Sequence, residues 1–560
     1  MVKNSSENSL SKLSKGHKLP LLILMLTWGL FFLILFFNMV QIKSDGLYFG
    51  HVNLWGDWAI HLGFANVFAF KSPQYWFAYH PYFAEGHFTY PFVADMISGL
   101  LMRVGIDVKA AFVWPSVMAV WGFIVGFYYL VYLTIKSKLV AFVAVNFYIF
   151  SSGFGFTRFL ADFATHPTIS AILYPTQEYS RYMQYDWFTG NVAVGLLVPQ
   201  RAFLLGATVA IWSLIGLLAV LQNKFKGKTK KILLASGVAA GLLPIIHPHS
   251  LIALVIITGF ICLVNYKKWQ IWLWYAVPAG VLSIILYLIF IAGKIPNQSF
   301  FSLLLGWTAS GGIIGWAKMW LILWGVALPL ALIGLVFVIK QKDKTITAFY
   351  LSFFAIFALA NIFLFQPIRF DNTKLFWWAY VGFSALVAFV VVRVWRAKNY
   401  VYKSFAIILA ILMCFTGGLE IIRLARTDKN SFKESSIQDV KLAKQIRQQT
   451  GQLDIFVTSP TQHNSPIFVW AARPILMGIS GWVYSYGFNA SQVEQDIQNI
   501  YTGTDTTPQL LKKHKVSYVV IGPSEINDMQ ANESYFANTY RLAFSNDDYR
   551  IYDVRSNGSY

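Results

Sequence analysis

Long apolar runs separated by short, mostly basic connections dominate the chain. The first run, Pro20 to Val40, is long enough to cross the hydrocarbon core of a bilayer as a helix. Further runs of the same kind predict spans over residues 110 to 135, 138 to 152, 197 to 222, 232 to 246, 249 to 265, 270 to 292, 313 to 340, 346 to 365, 375 to 395 and 404 to 424. The pattern therefore predicts an α-helical polytopic protein with about eleven crossings. Segment 232 to 246 is the shortest commitment, because it closes on Pro244, and a half-span there reverses the side of every later loop. The clusters Lys136/Lys138, Lys224 to Lys231, Lys267/Lys268, Lys340/Lys342/Lys344 and Arg393/Arg396/Lys398/Lys403 all fall on one predicted side, which the positive-inside rule makes cytoplasmic.

An odd number of crossings sends the segment from about Thr427 to Tyr560 to the opposite, extracytoplasmic face. There the hydrophobic period changes. Asp454 to Thr458 and Ser517 to Ile521 read as strands, and Ser491 to Tyr501 and Thr507 to His514 as helices, which predicts a small α/β domain. Gly478, Gly481 and Gly487 mark a turn-rich loop in its middle that packs back on the membrane part. The expected organisation is a basic cytoplasmic tail (1–19), a multi-span region (20–426) with large outer loops at 41–109 and 153–196, and an extracytoplasmic domain (427–560). Both loops are rich in aromatic residues, as helices lying along the interface are.

Composition agrees with this class and excludes a soluble globule: 56% of the 560 residues are hydrophobic, 12% are charged and the mean hydropathy is +0.53. A formal charge of +20 would suit nucleic acid, but its carriers cluster between apolar runs, as in loops facing anionic lipid. Cys262 and Cys414 each lie in a predicted span, so no disulfide framework or thiolate zinc site is expected. Gln41-Ile42-Lys43-Ser44 after the first run is not a small-residue cleavage site, so that run is read as a retained span.

The polar clusters that carry chemistry fall on the outer side. Asp57 and His61, in Gly56-Asp57-Trp58-Ala59-Ile60-His61, are four residues apart and share one helix face. An ionisable pair at the membrane margin is a candidate base with its orienting imidazole, or part of a metal site; the same spacing also suits the polar face of an interfacial helix. Glu85, His87 and Asp95 surround a predicted turn, and oxygen and imidazole donors such as Asp57, Glu85 and His87 would suit Mg²⁺ or Mn²⁺, although an N-cap and turn explains the stretch equally. At span ends, Pro199-Gln200-Arg201, His247-Pro248-His249 and Arg369-Phe370-Asp371-Asn372-Thr373-Lys374 place fixed cations and imidazoles where a lipid phosphate head group lies. Snorkelling accounts for a single Arg or Lys there, and less well for the Arg369 to Lys374 set. Asp371, with Glu85 and His87, is a candidate for acceptor or metal contact, and Asp162, His166, Glu178, Arg181 and Asp186 in the second loop are further candidates without a choice among them. Neither a Walker loop, a GxSxG elbow nor an HExxH motif occurs.

With these segments in view, the chain resembles the GT-C superfamily of membrane glycosyltransferases, which includes protein O-mannosyltransferases, aminoarabinose transferases and the catalytic oligosaccharyltransferase subunit. The resemblance lies in the lysine-rich tail, the single span, the large first outer loop opening on Asp57, and the outer C-terminal domain. It implies transfer of a sugar from a polyprenyl-phosphate donor to a lipid, glycan or protein acceptor on the extracytoplasmic face of the plasma membrane. Asp57 would be the catalytic acid of the first loop, with Arg201, His247, His249, Arg369 and Lys374 at the carrier phosphate. Two departures stand out: Asp57 lacks an adjacent second carboxylate, and Gly481-Trp482-Val483-Tyr484-Ser485-Tyr486-Gly487 only loosely resembles the WWDYG motif of oligosaccharyltransferases. A lipid or polysaccharide transporter and a non-catalytic cell-envelope assembly protein are the alternatives. A transporter more naturally shows paired repeats, and none is seen.

Overall fold

A computed structural model describes residues 17–224, 227–295 and 300–555. Nine helices among the described residues are long and apolar enough to cross a membrane, from Lys18–Met39 to Tyr400–Ala425. The two remaining predicted crossings depart from a straight span. Residues 138 to 152 form a helix only over Lys138–Ile149, and residues 313 to 340 form two helices, Gly312–Trp324 and Ala327–Ile339, bent by 88°. Gly325 makes that bend at φ +56°, ψ −130°, a conformation open to glycine, while its Cα faces Gly153 of the second loop. The short segment 232 to 246 lies within a continuous apolar stretch, Thr229–Ile246.

Two polar faces define the path of the chain. On one, His17 Nδ1 is 2.9 Å from the Tyr128 hydroxyl, Gln222 Nε2 donates to Leu133 O at 3.1 Å, and Asn265 Nδ2 donates to Thr345 Oγ1 at 3.0 Å. Lys138 and Lys224 act on His17 at this face, and Lys268 Nζ donates to Leu221 O at 3.4 Å. On the other, strand Gly46–Phe49, just after the first span, pairs antiparallel with both Val40–Lys43 and Phe432–Ser436, just after the last span. A sheet joining the exits of the first and last spans requires an odd number of crossings between the start of the first and the end of the last. Gly46 opposes Ser436 there, and a Cβ on Gly46 would lie 2.0 Å from Ser435 O.

The first loop is not an interfacial layer. Its helix Asp57–Phe70 is buried along nearly its whole length, clamped between the spans and the C-terminal segment. Phe468 packs on Gly63, Asn66 Nδ2 donates to Val469 O, and Ile479 N donates to the Tyr82 hydroxyl at 2.9 Å. A helix apolar all round is stable only when enclosed in this way. The expected return of the Gly478 loop onto the membrane part is seen at Gly478, where a Cβ would strike the Tyr82 ring.

The C-terminal segment carries a four-stranded sheet in the order Ile455–Val457, Val516–Ile521, Arg550–Asp553, Arg541–Ser545, with the first pair parallel and the others antiparallel. Every residue of Val516–Ile521 is buried. Helices Ile437–Gln449, Ser491–Thr502 and Thr507–Lys513 accompany it.

The second loop is divided. Helices Phe156–Thr165 and Ile169–Leu173 leave Leu160, Ile169 and Leu173 exposed, whereas residues 191 to 198 are buried and include a π-helical turn, Ala193–Leu197. The non-helical stretch after Ile149 lies beside Thr416, whose Oγ1 donates to Gly153 O at 2.7 Å. Thr416 is nine residues before the end of the last span, a depth of about 14 Å at the helical rise. Irregular backbone at such depth needs partners. Asn191 supplies them by donating through Nδ2 to Ile149 O and Ser151 O, each at 2.9 Å.

Candidate active site

Asp57 occupies the first turn of its helix, following Gly56. That glycine is dictated by packing, since a Cβ would lie 2.1 Å from the Trp482 ring of the C-terminal segment. The Asp57 carboxylate is half-buried, and its Oδ1 accepts a hydrogen bond from Gln200 Nε2 at 2.9 Å. Gln200 stands at the junction of the π-helical turn and the span Arg201–Leu221. Burial raises the Asp57 pKa above the usual 3.8, opposed by the positive charge of Lys374 and by His61, and reinforced by Asp371. These influences bring Lys374 and Asp371, at the head of the span Arg369–Trp395, into electrostatic reach of a first-loop residue. Lys374 Nζ is 2.6 Å from Asp371 Oδ1.

His247 and His249 complete this part of the site. They flank the Pro248 break, with ring centroids 5.5 Å apart, and Lys374 acts electrostatically on both. His247 Nδ1 accepts the Ser250 N–H at 3.2 Å, so the neutral ring carries its proton on Nε2. Nε2 of each ring is buried without a hydrogen-bond partner among the described residues. Such a pair of atoms is suited to a ligand bearing oxygen acceptors.

Other candidates go elsewhere. His61 does not bond Asp57; its Nδ1 lies 2.9 Å from Asp95 Oδ2. Arg201, expected at the carrier phosphate, is committed to Asp95 Oδ1 at 3.1 Å and to Ser98, with its guanidinium 4.1 Å above the Phe112 ring. An almost wholly buried arginine cannot stand uncompensated, and Asp95 supplies the countercharge. Arg369 is exposed, and what ties its residue into the fold is its carbonyl, which accepts from Trp307 Nε1 at 2.9 Å. Glu85 reaches His514 of the C-terminal segment at 2.5 Å, and His87 is exposed. Glu85 and His87 line a recess of about 360 Å³ whose walls do not include Asp57. The expected metal set of Asp57, Glu85 and His87 is therefore not assembled, and among the described residues no group of three or more His, Cys, Asp or Glu side chains is gathered to hold a metal ion.

Sequence reasoning passed over two aromatic residues. Tyr90 and Tyr486 lie with ring centroids 5.3 Å apart, and both hydroxyls are buried within the field of Asp57. Tyr486 belongs to the Gly481 to Gly487 segment, so the signal was present in its aromatic and glycine spacing. From the second loop, Arg181 pairs with Glu178 at 3.3 Å, lies against Gly190 and Gly195, and sets its guanidinium 5.9 Å from the Phe370 ring, next to Asp371. Asp162 is occupied by the Tyr179 hydroxyl at 2.9 Å.

No protein-family model and no curated protein sequence matches the chain. Solved structures do. The apo oligosaccharyltransferase of Archaeoglobus fulgidus superposes with TM-score 0.53 over 91% of this chain and 70% of its own, at 11% identity. The same enzyme tethered to an acceptor peptide containing the NVT sequon gives 0.52 over 97% and 74%, at 12% identity. ArnT from Cupriavidus metallidurans in the apo state covers 95% of this chain and 97% of its own with TM-score 0.49 and 11% identity. The chain shares the fold of the archaeal oligosaccharyltransferase, a polytopic helical membrane protein with a C-terminal domain outside the spans.

Proposed function

We propose that the protein is a GT-C-type glycosyltransferase that moves a sugar from a polyprenyl-phosphate carrier to an acceptor hydroxyl or amide on the extracytoplasmic face. The observation that carries this reading is the convergence of four remote segments on Asp57: Gln200 donates to its half-buried carboxylate, and the Asp371–Lys374 pair, Tyr90 and Tyr486 lie within its electrostatic reach. The fold shared with an enzyme that was solved with an acceptor peptide supports the same class. The basic clusters on the opposite face support the orientation, with Asp57 outside.

In this reading Asp57 takes the proton from the acceptor as its oxygen or nitrogen attacks the anomeric carbon. A bond forms from acceptor to sugar, the carbon–oxygen bond to phosphate breaks, and the electron pair leaves with the carrier phosphate. Lys374 neutralises the charge developing there, and the Nε2–H of His247 donates to a phosphate oxygen. A single carboxylate acting as base implies one displacement, with inversion at the anomeric centre. No step is assigned to a metal ion, because the carboxylates and imidazoles expected to hold one lie apart.

The test is donor consumption by the full chain reconstituted in vesicles, with polyprenyl-phosphate sugars as donors and a cell-envelope extract as acceptor. Asp57→Asn should abolish turnover and leave carrier binding intact, while Lys374→Ala should weaken carrier binding. Unchanged turnover in Asp57→Asn would overturn Asp57 as the base, and no donor consumption by the native chain would instead favour a non-catalytic assembly role.

A further inference from the structure

A second cavity, of about 490 Å³, opens between the second loop and the exit of the last span. Its walls include Ser170, Tyr174, Arg423, Arg426, Lys429 and Asn430, three cations without a carboxylate. Arg426 is partly neutralised by Asp428, with Nε and Nη2 at 2.9 and 2.6 Å from its oxygens, and its guanidinium lies 4.0 Å from the Tyr174 ring. Arg423 approaches His51 Nε2 at 3.4 Å and has no carboxylate within bonding distance among the described residues, and Lys429 is exposed without an ion pair among them. The floor is fixed by Asn430, whose Nδ2 donates to Arg423 O and Arg426 O, each at 3.0 Å.

The level of this cavity in the membrane follows from its neighbours. Arg423 belongs to the last turn of the span Tyr400–Ala425. The helix Ile169–Leu173, which contributes Ser170, turns Ile169 (76% exposed) and Leu173 (47% exposed) outward. Apolar side chains this exposed on a short helix beside a span belong in acyl chains rather than in water. Cations at the end of a span, next to an immersed apolar edge, lie at head-group depth.

We propose that this cavity binds the phosphate of an anionic glycerophospholipid, with Arg423 and Lys429 on the phosphate, Arg426 beside it, and the acyl chains over Ile169 and Leu173. The site is distinct from Asp57 and requires no assumption about sugar transfer. Each basic residue at such a surface adds about 1 kcal/mol of attraction for an anionic lipid, so removing two lowers affinity roughly thirtyfold.

The full-length protein is delipidated and mixed with phosphatidylcholine vesicles with or without phosphatidylglycerol, and retained lipid is counted by native mass spectrometry. Phosphatidylglycerol should be retained and should raise the melting temperature of the native chain and of Asp57→Asn alike. Arg423→Gln/Lys429→Gln should lose that retention, whereas Lys441→Gln, exposed on another helix, should keep it. If the double variant does not fold, Lys429→Gln alone should lose it in part. Equal retention in the variants, equal binding of phosphatidylcholine, or displacement by excess inorganic phosphate each overturns the proposal.

Discussion

Asp57 is held by a neutral hydrogen-bond donor and not in an ion pair. Its bonded neighbour is the neutral amide of Gln200, while Lys374 acts on it from beyond Asp371. Because burial raises its pKa, the carboxylate loses its charge at a higher pH than an exposed one. The acid limb of kcat/KM should accordingly lie above the ordinary aspartate range, with activity rising as Asp57 deprotonates, and a pH–rate profile measures it. Asp57→Asn should lower kcat by about 10² to 10⁴, the usual worth of a positioned base, without shifting the melting temperature. Arg201 behaves differently. Its replacement by Ala removes the guanidinium from buried Asp95 and leaves it only His61, so a loss of about 3 to 5 kcal/mol in stability is expected, read from thermal unfolding in detergent. Asp57 was conspicuous in the sequence as an acid just beyond a span, and its hydrogen bond to Gln200 was not, because the two lie in different loops. The partner of Arg201 was not legible either, because Asp95 lies 106 residues away and nothing local links them. His61 was misassigned to Asp57 for a related reason: helical spacing places two residues on one face but does not choose between a neighbour on that helix and a better partner across it.

At the scale of elements, the start of the Asp57 helix is set from outside it. Trp482 fills the place where a Gly56 side chain would be, so Gly56→Ala forces the indole or the helix to move. Turnover should fall in Gly56→Ala while the protein remains folded, and in Gly56→Ala/Trp482→Leu it should partly return. A second junction is titratable. His514 lies between Glu85, at 2.5 Å from Nδ1, and Asp496, at 2.8 Å from Nε2. Burial alone would lower its pKa, but the two carboxylates outweigh that and raise it above 6.5. Asp496 is itself desolvated, yet Lys513, His514 and Gln492 bring it down to about 2. The junction thus contributes fully between the unfolded pKa of Asp496 and that of His514; it weakens as pH rises through the folded His514 value and again as pH falls toward 2. Thermal unfolding against pH should show the alkaline loss in the native chain and not in His514→Gln. The strands of the C-terminal sheet were readable from Ile455–Val457 and Val516–Ile521, whose apolar runs are continuous. Phe432–Ser436 was not, because Phe-Lys-Glu-Ser-Ser carries no strand signal apart from its partner Gly46–Phe49.

For the whole molecule, hydrophobic runs located the apolar helices because membrane thickness imposes one length on them. The two exceptions sit together. Lys138–Ile149 stops early and Gly312–Ile339 bends, and the second-loop backbone fills the volume both leave, with Phe154 N donating to Ile322 O at 2.8 Å. No run-length argument contains that information, since it depends on a loop packing at span depth. The C-terminal segment is also more than an appendage: Phe468, Tyr486 and Trp482 cover first-loop residues that would otherwise face water. A chain truncated after Arg426 should therefore accumulate poorly in membranes, as quantified by fluorescence-detected size exclusion.

A helix of 12 residues rises about 18 Å, well short of a hydrocarbon slab about 30 Å thick. Where Lys138–Ile149 ends, the remaining depth on the side of Asp57 is taken up by second-loop backbone, whose contacts at Ile149 O and Ser151 O are made by Asn191. The same buried segment runs on through its π-helical turn to Gln200, so the hydrogen-bond partner of Asp57 is set by backbone packed at span depth and not by a surface loop.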